Sequence, residues 1–158
     1  MKVSFDVAGF LVEHRSSILT ATDAEVVGRR LPHYAAAGAE EITSRLAALY
    51  DVVVAAATEN HLDAALAYAD EIAAQRQQSG QDLGELQLAI NALEEQFWHA
   101  VMADAPVEAQ GFALGMVSTI LGAIKDRLAC AYVSRAAGTP VHTLRIDELF
   151  RGTAAGQI

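Results

Sequence analysis

Only three prolines interrupt this chain of 158 residues, at positions 32, 106 and 140, and between them apolar residues recur three and four positions apart. Proline ends or kinks a helix because it lacks an amide hydrogen and clashes with the preceding turn. Long proline-free segments with that spacing are the signature of amphipathic helices, one face of each turned to a core. No segment alternates apolar and polar residues between turn signals. The run Val52-Val53-Val54 has β-branched character but lies inside a helical stripe. The expected fold is all-α, a single six-helix domain. At this length a chain buries roughly 70% of its unfolded surface, enough for a core without disulfides or metal.

The punctuation assigns the elements. Ser4 is placed to cap a first helix with Asp6 in its first turn, and Val7, Leu11 and Ile18 form a stripe that reaches about Leu19. Thr22-Asp23-Ala24-Glu25 has capping-box spacing and opens a short second helix, which Pro32 stops near Leu31. Glu40 and Glu41 begin a third, with Ile42, Leu46, Leu49, Val53 and Ala56 inward. Asn60 caps a fourth over residues 61–78, ended by Gly80. Asp82-Leu83-Gly84-Glu85 starts a fifth along the seam Leu83, Leu86, Ile90, Leu93, Phe97 and Val101, with Glu85 reciprocating the cap. Pro106 suits the first turn of a sixth, which runs to about Ala137 before Gly138, some 45 Å at about 1.5 Å per residue. Residues 1–138 form the domain, and residues 139–158 form a tail with one short amphipathic helix over 144–150.

Charge and composition exclude several functions. Twenty acidic against 11 basic residues leave a net charge of −9, which repels phosphate backbones, so no nucleic acid is expected as a partner. Cys130 is the single cysteine, which excludes an intrachain disulfide and fits a reducing compartment. Asp6 stands where a signal peptide needs its apolar run, and the uncharged stretch 110–124 is short for a bilayer span. The expected location is the cytoplasm, with no membrane partner.

Catalytic constellations are missing. No histidine has a glutamate three residues before it, as a di-metal carboxylate bundle requires, and there is no His-Glu-x-x-His. Glu95 and His99 share a helix face but make only one pair, read as a surface hydrogen bond. Cys130 sits mid-helix among Leu128, Ala129 and Ala131, the setting of an inert core thiol. Neither a Gly-x-Ser-x-Gly elbow nor a phosphate loop occurs. The expectation is a non-enzyme with no metal and no cofactor.

Two features stand out against this background. Gly111, Gly115, Ser118 and Gly122 line one face of the last helix, where glycine costs stability and marks a close approach. The neighbour is another helix of the chain, a second subunit, or a ligand. Phe112, Met116, Ile120 and Ile124 make the other side apolar too, and a homodimer is the simplest way to cover so apolar a helix. The other feature is Phe97-Trp98-His99 with Met102. Phe97 belongs to the core seam, while Trp98 and His99 line its edge at an interface or pocket mouth.

The stretch Leu31-Pro32-His33-Tyr34, then Glu40-Glu41-Ile42-Thr43-Ser44-Arg45-Leu46 and Leu49-Tyr50, resembles the N-terminal sensor domains of RsbR-type stressosome proteins. So does Tyr68-Ala69-Asp70 leading into Arg76-Gln77-Gln78-Ser79-Gly80-Gln81-Asp82-Leu83-Gly84-Glu85-Leu86; similar domains precede the output regions of some PucR-like regulators. The resemblance spans roughly residues 5–137. It implies a haem-free globin-like fold that dimerises through its last two long helices into a four-helix bundle. It also implies a regulatory role, receiving a signal and passing it along the dimer to other regulatory proteins or an output domain. The alternative is a globin-type sensor holding haem or another tetrapyrrole. For that reading His61, His99 and Tyr68 are the candidate ligands, and Tyr68, Phe97, Trp98, His99 and Met102 the candidate pocket. The family's output region does not follow before Ile158, so the chain is expected to be an excised domain or to act through a partner.

Overall fold

A computed structural model describes residues 4–138, all of it helix and connecting turns. The expected helix at 144–150 lies outside the described residues. Six helices follow in order: α1 Val7–Arg29, α2 Pro32–Ala37, α3 Ala39–Glu59, α4 Asp63–Gln78, α5 Leu83–Asp104 and α6 Val107–Ala137. The count matches the expectation, but the division differs in the first third of the chain.

There α1 runs unbroken where two helices were expected. The Thr22 side chain is fully buried and donates to the Ile18 carbonyl at 2.8 Å, continuing the stripe of Ile18, Thr22 and Val26 into the core. A hydroxyl can cap a helix only from a position outside it; here tertiary burial overrides the local signal. The first cap is Asp6, not Ser4, and its carboxylate accepts from the Gly9 amide at 2.9 Å. Arg30 ends α1 in the left-handed region (φ 51°). Pro32 then begins a helix instead of stopping one, at the first helical position where its missing amide is harmless. Asn60 also changes role: it closes α3 in the left-handed region (φ 59°), and α4 starts three residues later.

The α4–α5 hairpin follows the expected chemistry in part. Gly80 (φ 73°) passes its amide to the Gln77 carbonyl, and Gln81 passes its amide to Arg76, the paired bonds of a Schellman end. Asp82 caps α5 through the Gly84 amide. Glu85 does not reciprocate that cap. Its carboxylate instead reaches His33, accepting from the backbone amide at 3.1 Å and lying 3.2 Å from Nδ1, so it caps α2 from 52 residues away.

Helix α6 is the centre of the packing, in contact with α3, α4 and α5, while α1 packs on α3 and α5. Val117, Ile120, Leu121, Ile124 and Leu128 of α6 are all buried. Tyr50 is the largest side chain sealed in the core; its ring meets Phe97 at 5.0 Å and its hydroxyl donates to the Leu11 carbonyl at 2.6 Å. The far end of α6 is tied to the α4–α5 hairpin: Gln77 Nε2 donates to the Ala131 carbonyl, Tyr132 to the Gln81 carbonyl at 2.9 Å, and Arg135 to Gln77. By length and mean hydropathy (1.4) α6 could also cross a membrane, although the uncharged stretch alone is too short. In this fold 44% of its most apolar window is buried in the core.

Candidate functional site

Two places break the regular pattern of apolar inside and paired charge outside. One is the outer face of α5 and α6, the other a cavity inside the bundle.

On the outer face, Gly111 and Gly122 have no atom within 4 Å of where a side chain would begin. No neighbouring helix of the described chain fills that space. Ser118 lies between them and accepts from Trp98 Nε1 at 3.1 Å, so the indole leans across the α5–α6 groove. Trp98 is nonetheless 48% exposed and Met102 55%, and Val133 continues the α6 stripe half-exposed. Lys125 bounds the patch with a clamp to Glu94 (2.7 Å) and Asn91 (3.0 Å). The Gly115 carbonyl accepts from Thr119 at 2.7 Å, an ordinary helical back-bond. Bare backbone, a half-exposed indole and a thioether in one patch form a surface that a second helix can approach closely.

The five residues expected to share a pocket do not share one. Phe97 is fully buried against Tyr50, because its seam position faces the core. Trp98 and Met102 lie on the outer face. His99 is on the surface, 3.6 Å from Glu95, an ion-pair distance and longer than a hydrogen bond. Tyr68 lines a cavity in the bundle. His61 sits in the α3–α4 turn between Glu59 (3.3 Å) and Asp63 (3.7 Å), half-exposed. Neither His61 nor His99 points inward, so neither is placed as an axial ligand, and Tyr68 is the one candidate on the interior.

That interior cavity measures about 30 Å³ and is walled by Tyr34, Arg45, Tyr68 and Arg76 over an apolar floor that includes Leu46, Ile72 and Leu128. Arg45 bonds Glu41 at 2.8 Å and its guanidinium lies 5.8 Å from the Tyr34 ring. Burial pushes the Tyr34 hydroxyl up from its ordinary value and the Tyr68 hydroxyl up to about 12. Burial, and then the like charge of Arg45, pull Arg76 down. Neither arginine was singled out from the sequence beyond its part in the resemblance. They are 31 residues apart and meet only because α3 and α4 pack together, which no local pattern announces.

Among the described residues no three His, Cys, Asp or Glu side chains gather as metal ligands. Cys130 is partly buried, and burial together with Asp126 raises its thiol, which disfavours the reactive thiolate. Compared with family profiles, with characterised proteins and with solved structures, the chain matches none of them.

Proposed function

We propose that this chain is a non-enzymatic regulatory domain that pairs with a second copy through the outer face of α5 and α6 and relays a signal across that contact. The single observation that carries the reading is the open space over Gly111 and Gly122 beside the exposed Trp98 and Met102. Glycine in a helix interior costs about 1 kcal/mol relative to alanine, so two of them facing solvent are a loss unless something approaches them. The resemblance of residues 31–50 and 68–86 to stressosome sensor domains supports the regulatory part, and a globin-like dimer is the arrangement it implies. The acidic surface and single cysteine accord with a cytoplasmic setting.

Sedimentation velocity at micromolar concentration tests the pairing. A dimer is expected, and Gly122→Leu should convert it to a monomer whose helical circular dichroism is unchanged, since a Cβ added there has no atom of a neighbouring helix within 4 Å among the described residues. A wild-type chain that sediments as a monomer would falsify the pairing.

A further inference from the structure

We propose that the cavity walled by Tyr34, Arg45, Tyr68 and Arg76 binds a small carboxylate of acetate or propionate size, its oxygens held by Arg76 and the Tyr68 hydroxyl and its alkyl end resting on Leu46 and Ile72. This goes beyond the pairing reading and shares no residue with the outer face.

Charge is the first observation. Among the described residues, five of the eight lysines and arginines meet an acid: Arg15 meets Asp51, Arg29 meets Glu25, Arg45 meets Glu41, Lys125 meets Glu94 and Arg127 meets Asp70. Arg76 has no carboxylate within ion-pair distance among the described residues, yet it lines a cavity beside a second guanidinium. The nearby acids are already engaged: Glu41 by Arg45, Glu71 by Gln75, and Glu85 by His33. Arg76 is therefore the guanidinium of this wall that touches no carboxylate, and it lies in a partly desolvated place. Such a charge is costly unless an anion meets it.

Hydrogen-bonding capacity is the second. No hydrogen bond engages the Tyr68 hydroxyl among the described residues. The Arg76 guanidinium and the Tyr68 hydroxyl are therefore unmatched donors on one wall, and a carboxylate offers acceptors only. The planar fork of arginine matches the two oxygens of a carboxylate.

Size and lining choose among anions. The cavity, about 30 Å³ and partly open to solvent, admits only a small molecule at its mouth, and a long acyl chain or a sugar phosphate would have to separate the helices. The floor of leucine and isoleucine suits a methyl or ethyl group and gives inorganic phosphate nothing to bond on that side.

The test is thermal unfolding and calorimetric titration of the whole chain with sodium propionate, against sodium chloride and sodium phosphate at equal ionic strength. Near a hundredfold excess over its Kd, propionate should raise the midpoint by about 5 °C or more. Arg76→Gln should abolish that rise, and Arg76→Lys, which keeps the charge but loses the fork, should weaken binding about tenfold. Arg30→Gln, on the surface, should leave the response intact. An equal rise in chloride or phosphate overturns the proposal, as does an undiminished response in both Arg76 variants. A monomeric wild type that still binds propionate would remove the pairing and leave this site standing.

Discussion

Leu121 and Gly122 are neighbours in the chain and about 100° apart around α6, and they face opposite fates. Leu121 is wholly buried among the helices that α6 organises, while Gly122 looks into open space. On the inner side large aliphatic side chains recur at 117, 120, 121, 124 and 128, and nothing is left for a partner to add. On the outer side the sequence spends glycines at 111, 115 and 122 and leaves an indole half uncovered. One helix thus carries two kinds of packing surface. The inner one is completed within the chain; the outer one is left uncovered by the described residues.

Replacing each of the two residues by alanine breaks that contrast most directly. Leu121→Ala should cost about 2–5 kcal/mol of unfolding free energy in urea, because it removes buried methyl groups and leaves a cavity. A cost under about 1 kcal/mol would mean that the inner face is looser than it looks.

The next effect is a pH dependence confined to the inner side. Tyr34, Tyr50 and Tyr68 all have hydroxyls raised by burial, Tyr68 to about 12. A folded value above the unfolded value of about 10 means the native state holds its proton more tightly. That stabilisation is complete below pH 10 and is lost as pH rises through the folded value. Urea midpoints should therefore be flat from pH 7 to 9 and fall between pH 10 and 12, less steeply in Tyr68→Phe. A midpoint unchanged at pH 11.5 would contradict the burial of these hydroxyls.

On the outer face the sign reverses. Gly122→Ala should raise the stability of the isolated subunit by about 0.5–1 kcal/mol through helix propensity while weakening self-association in sedimentation. If stability drops, some part of the chain needs that space. The smallest effect falls on the single tryptophan. Trp98→Phe should leave stability within about 0.5 kcal/mol, and wild-type emission should shift to shorter wavelength as concentration rises and the indole becomes covered. Emission independent of concentration argues against its lying in an interface.

How much of this could be read in advance depends on how local each cause is. The stripe of α3, the start of α5 at Asp82, and the limits of α6 at Pro106 and Gly138 were all legible, because propensity, capping and periodicity agree there. Thr22 and Glu85 were misread for one shared reason. Both stand in capping-box spacing, but a long-range partner claims each: the core takes Thr22, and His33 takes Glu85. The small-residue face was visible as a pattern, and its open side only in three dimensions. The Arg45–Arg76 cavity was hidden altogether, since it arises from the meeting of two helices whose own patterns are unremarkable.

The ties between the last turns of α6 and the α4–α5 hairpin carry a consequence of another kind. Helix ends normally fray, and their amides exchange with solvent in advance of global unfolding. Here Gln77 and Arg135 link the two elements, and Tyr132 reaches the Gln81 carbonyl, directly after the turn at Gly80. Opening of that terminus must therefore loosen the hairpin too. Amides near residue 132 and those following Gly80 should then exchange deuterium at a common rate, as one cooperative unit.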